Sequence, residues 1–89
     1  MISQIWKFHI ADYQPGGIEM PENTHVIDAH MQNGKMFIWG IVPDVNAPKI
    51  KRNFDIVGTG WDLLCKEWRF IATVHEPPHV WHVFEVIRK

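Results

Sequence analysis

Eighty-nine residues with nine Lys and Arg against ten Asp and Glu, a formal net charge of −1, fit one domain spanning 1–89 and argue against a general nucleic-acid coat or an anionic-membrane binder, which carry a basic surplus. The single cysteine, Cys65, excludes an internal disulfide, and the start Met1-Ile2-Ser3-Gln4 has neither a basic leader region nor a long apolar run, so the chain reads as soluble and cytosolic. A chain this short buries only about 60 to 65% of its unfolded surface, yet it carries five Trp and five Phe, so some of these are expected to line a pocket or an interface.

Gln4 to Ile10 alternates as a half-buried strand does, with Trp6, Phe8 and Ile10 on one face and Lys7 and His9 on the other. Tyr13-Gln14-Pro15-Gly16-Gly17 breaks it, and a short Ile18-Glu19-Met20 segment ends in the turn formers Pro21-Glu22-Asn23. From Thr24 to Val42, Asn33-Gly34 separates two alternating runs as a type I′ hairpin turn would. Gln32 then opposes Lys35, which places Met31/Met36, Ala29/Ile38 and Ile27/Gly40 on an apolar face and His30/Phe37 and Asp28/Trp39 on the other. That second face mixes aromatic and polar groups and suits a binding surface.

Pro43 to Pro48 is a loop. Lys49 to Val57 carries Lys49, Lys51 and Arg52 before an apolar end, and Gly58-Thr59-Gly60-Trp61 follows. Asp62 to Lys66 reads either as one helical turn or as a loop packed by its own leucines. The last hairpin pairs Glu67 to Val74 with Val80 to Ile87 across a five-residue loop. It is expected to put Val74/Val80, Ala72/His82, Phe70/Phe84 and Trp68/Val86 on a core face, with the pair Arg69/Glu85 opposite, unless a bulge shifts the register. No repeat, heptad or low-complexity tract is present. The expected fold is all-β, a small antiparallel sandwich or barrel built from hairpins with at most one short helical turn.

His75-Glu76-Pro77-Pro78-His79 matches the letters of the H-E-x-x-H zinc motif, but that motif needs a helix to bring both histidines to one face, and the two prolines forbid one. No Cys or Asp cluster adds ligands at zinc spacing, so neither a metal nor another cofactor is expected. Cys65 has no His or Asn at a recognisable spacing, His82 reads as a core histidine, and no catalytic residue is expected.

The Gly58-Thr59-Gly60 loop lacks the Lys of a Walker A motif and the third Gly of a dinucleotide fingerprint. Its glycines can still free backbone amides for an anion, Thr59 adds a hydroxyl, and Lys51 and Arg52 lie on the strand leading to it. Trp61 offers a stacking face. The competing reading is a plain glycine turn anchored by Trp61. The candidate ligand-binding residues are therefore Lys51, Arg52, Gly58, Thr59, Gly60 and Trp61, with Trp39 and His30 from the mixed hairpin face.

Taken together, the Ile5-Trp6-Lys7-Phe8 start, Met20-Pro21, Gln32-Asn33-Gly34 with Trp39, the Val57-Gly58-Thr59-Gly60 loop and the Val80-Trp81-His82-Val83-Phe84-Glu85 end resemble a family of short phage and prophage proteins of unassigned function. The resemblance spans nearly the whole chain. It implies a small, non-enzymatic counter-defence protein of the host cytoplasm that sequesters a nucleotide-derived immune signal, and the aromatic surplus adds the expectation of a homo-oligomer. The alternatives are an inhibitor that binds a host defence protein through a Trp-rich surface, and a small structural or assembly accessory.

Overall fold

The computed structural model describes residues 2–10 and 16–88; of the break expected at Tyr13 to Gly17, residues 13–15 lie outside them. Seven strands follow one another: β1 (Gln4–Ile10), β2 (Ile18–Pro21), β3 (His25–Gln32), β4 (Lys35–Val42), β5 (Lys49–Gly58), β6 (Glu67–Glu76) and β7 (His79–Arg88). They form two antiparallel sheets, ordered β1-β4-β3 and β2-β5-β7-β6, packed face to face as a small sandwich. Residues 59–66 contain no helical turn. Of the loop's two leucines Leu63 is half-buried, whereas Leu64 is 84% exposed and packs nothing. Among the described residues no helix is long and apolar enough to cross a membrane.

The β3–β4 hairpin forms as its turn residues dictate. Asn33 and Gly34 both hold left-handed backbone angles (φ 54° and 76°), which a type I′ turn requires at its two central positions. Met31 then pairs with Met36, Ala29 with Ile38, His30 with Phe37 and Asp28 with Trp39. The expected Ile27/Gly40 pair does not form. A bulge between Val26 and Asp28 makes Val26 the partner of Gly40, buries Val26 and leaves Ile27 exposed, because the extra residue moves everything beyond it by one step.

The β6–β7 hairpin departs further from expectation. Its connection is two residues, Pro77-Pro78, rather than five, and Glu76 pairs with His79, Val74 with Trp81 and Ala72 with Val83. A one-residue shift exchanges the two faces of a strand. A second irregularity at Ile71 restores the pairs Phe70/Phe84, Arg69/Glu85 and Trp68/Val86, but with the faces reversed. Val83 and Glu85 are buried, so Trp68, Phe70 and Phe84 lie on the outer face of the sheet, where Trp68 and Phe70 each meet the Phe84 ring edge-on at 5.1 and 5.6 Å.

Glu85 tolerates its interior position because Arg52 meets it with two parallel bonds: Nε donates to Oε2 at 2.6 Å and a terminal nitrogen to Oε1 at 2.7 Å. The remaining guanidinium nitrogen donates to the Thr24 carbonyl. This clamp joins β5 and β7 of one sheet to the residue just before β3 of the other, and it replaces the expected outer Arg69/Glu85 charge pair. The rest of the core is aliphatic: Met20, Ile38, Val42, Val74 and Val83 are at most 2% exposed. None of the ten Trp and Phe is fully buried.

Candidate functional site

Three connections gather at one end of the sandwich: the Asn33-Gly34 turn, the Gly58 to Trp61 loop and the Pro77-Pro78 turn. Between them the sheets part to leave a cleft of about 700 Å³. Met31, Met36, Phe54 and Ile56 contribute apolar lining, Lys35 and His9 stand on the three-stranded sheet's side, and Asp55, Glu76, Trp61 and Trp81 on the other.

The glycine loop builds one wall. Trp61 N–H donates to the Gly58 carbonyl at 3.0 Å, closing a four-residue turn whose third residue, Gly60, has φ +88°. Only glycine takes that angle readily, as a type II turn demands. Gly58 is glycine for a different reason: a Cβ there would lie 2.8 Å from the Trp61 ring. Its absence lets the indole fold back over the end of β5, where it meets Trp81 edge-on at 5.5 Å and 75° while remaining 63% exposed. Trp81 is held from two sides, its Nε1–H donating to Glu76 Oε1 at 2.9 Å and its ring stacking on His79 at 5.2 Å.

The loop's own amides are largely engaged, since Thr59 N–H points to the Val80 carbonyl at 3.4 Å and Trp61 N–H closes the turn. Thr59 Oγ1 lies 2.8 Å from His82 Nε2, and His82 Nδ1 lies 3.3 Å from Thr73 Oγ1. His82 is thus not the core histidine expected but a link on the outer sheet face. Thr59 and His82 stand at nucleophile-to-base distance. The group on Nδ1 is the Thr73 hydroxyl, and the two contacts fasten the loop to β6 and β7.

The structure scatters the candidate residues over three surfaces. Gly58, Thr59, Gly60 and Trp61 sit together beside the cleft. Lys51 and Arg52 do not join them: Gly58 lies six positions beyond Arg52 along β5, about 20 Å at the usual rise. Arg52 is occupied by Glu85, and Lys51 lies opposite Glu19 of β2. Trp39 and His30 are on the outer face of the three-stranded sheet, ring to ring at 6.4 Å and nearly perpendicular, beside Phe37 with Lys7 Nζ 4.6 Å above its ring. Lys35, Glu76 and Trp81 were not singled out from sequence for a site. The signal for Trp81 was its place in the Val-Trp-His-Val-Phe-Glu stretch. His75-Glu76-Pro77-Pro78-His79 forms the end of β6, a turn and the start of β7, not the helix its letters would need.

A family model described as a domain of unknown function (DUF7352) matches residues 1–89. The chain belongs to this family. No curated protein matches it, and no solved structure does. That description assigns the DUF7352 family no activity, so the cleft and the two sheet faces are what bear on function.

Proposed function

We propose that the protein is a non-enzymatic binding module that captures a small nucleotide-derived molecule in the cleft between its sheets. The observation that carries this reading is the exposed Trp61 set edge-on against an anchored Trp81 at the mouth of a cleft of about 700 Å³, within the range that small-molecule sites occupy. A heterocyclic base gains stacking energy on an exposed indole. Lys35 supplies a cation for phosphate, and the Glu76 carboxylate accepts from base amines or ribose hydroxyls. The resemblance to phage and prophage proteins extends the proposal to biology: the module sequesters a nucleotide immune signal in the host cytoplasm.

The test is calorimetry, with tryptophan fluorescence as a second readout, against cyclic dinucleotides, cyclic trinucleotides and ADP-ribose derivatives. Trp61→Ala should weaken capture by about 1 to 3 kcal/mol, roughly five- to 150-fold, with little change in Tm because the indole is largely exposed. Silence across the whole panel overturns the proposal.

A further inference from the structure

We infer that the outer face of the four-stranded sheet is the contact surface for a second copy of this chain, centred on Trp68 and Phe70. This rests on observations independent of the cleft. Trp68 and Phe70 are 48% and 51% exposed, and with Phe84 they form a continuous aromatic cluster on one face, extended by Val86 opposite Trp68. At 150 to 250 Å² for each aromatic side chain, Trp68 and Phe70 leave roughly 150 to 250 Å² of apolar surface open, to which the partly exposed Phe84 and Val86 add. A standard interface takes about 800 Å² from each partner, close to two thirds of it apolar in homodimers, so the cluster supplies the middle of the apolar centre that a dimer of this size needs.

The surrounding charges favour a second copy over other occupants. Glu19 and Lys51 face each other on the neighbouring strands, and Arg88 meets Glu67 at 3.3 Å near the strand ends. A rim whose charges are paired within each copy presents no net charge to a second copy, so two such faces can meet without like-charge repulsion. A nucleic acid or an anionic membrane would call for one sign. Asp55 lies across from Phe84, and placing the two-fold axis beside it would oppose two carboxylates. The axis therefore falls on the β6 side, over Phe70 and Trp68. The burial pattern points the same way: Phe8, Phe54 and Trp81 pack against the core of one copy, whereas Trp68 and Phe70 stay about half exposed on this face.

Light scattering across a dilution series should give about 21 kDa, twice the 10.5 kDa chain, falling toward the monomer only on dilution. Trp68→Glu with Phe70→Glu should raise the dissociation constant at least about 100-fold, while Trp39→Glu, on the other sheet's outer face, leaves it unchanged. Trp68→Gln with Phe70→Thr replaces the first pair should that unfold. Hydroxyl-radical footprinting of the unaltered protein adds a readout that needs no variant: oxidation of Trp68 and Phe70 should increase as the dimer dissociates. A monomer at every concentration, a dimer that survives either substituted pair in folded form, or unchanged footprinting at these two residues overturns the inference. A monomer would return this face to a different protein partner, whereas the cleft titration reports separately on ligand capture.

Discussion

Arg52→Ala is the substitution whose consequence the structure determines most directly. The guanidinium makes two bonds to Glu85 and one to the Thr24 carbonyl, and the Arg52 and Glu85 side chains are only 13% and 8% exposed. Removing the cation leaves a carboxylate in the interior without its partner and strips a donor from a buried backbone oxygen. Breaking a buried pair from one side costs about 3 to 5 kcal/mol, which for a domain of this length is a fall in Tm of roughly 12 to 40 °C. That is a large share of the 5 to 15 kcal/mol by which folded domains are usually stable. Replacing both partners, as in Arg52→Met with Glu85→Leu, should recover most of the loss, because no buried charge is then left over. Urea unfolding of the wild type, the single variant and the double variant, followed by far-UV circular dichroism, measures all three stabilities. A single variant within about 1 kcal/mol of wild type, or a double variant no more stable than the single, would refute the assignment of Arg52 to the interior clamp and reopen a role for it in binding phosphate.

Two glycines of one loop should respond in opposite ways. Gly58→Ala places a methyl 2.8 Å from the Trp61 ring and should displace the indole, lowering ligand affinity about as much as Trp61→Ala does, roughly fivefold or more by titration. Gly60→Ala meets nothing within 4 Å but must hold φ +88°, so it should lose about 1 to 2 kcal/mol of stability in a thermal melt while affinity is retained. The β3 bulge predicts a further contrast. Val26→Ala, at an 8% exposed position, should cost about 2 kcal/mol, whereas Ile27→Ala, at a 43% exposed one, should stay within about 0.5 kcal/mol; a larger loss at Ile27 would show that the bulge is absent.

The β architecture was legible because its signals are local. Asn33-Gly34 sets a turn, the turn sets the register, and five pairs from Gln32/Lys35 to Asp28/Trp39 follow from it. What escaped was wherever a strand gains a residue. Alternation identifies a face only while the period of two persists, and each bulge resets it. At Ile27 the reset exchanged one residue for its neighbour. In the last hairpin the apolar row Trp68, Phe70, Phe84, Val86 reads as a core, and in the absence of structure Glu85 reads as solvent-facing. The inversion depends on Arg52, 33 positions away in sequence, whose interior role no local pattern announces.

The same distinction governs the candidate site. Lys51, Arg52, Gly58, Thr59, Gly60 and Trp61 lie close together in sequence, and closeness in sequence suggested one anion-binding unit. Along an extended strand closeness in sequence is distance in space, so the cations end at the far side of the sheet from the loop. Partners for Trp61 come instead from another strand: Trp81, twenty residues later, is brought to 5.5 Å by the pairing of Gly58 with Trp81. Clustering cations near a glycine loop would have required a helix beginning at the loop, as in phosphate-binding folds, where successive residues circle back to one end. In an all-β chain the groups that meet at a strand end are those linked by cross-strand register. Here that rule selects Trp61, Trp81, Glu76 and His79, which makes the mouth of the cleft aromatic first and ionic second.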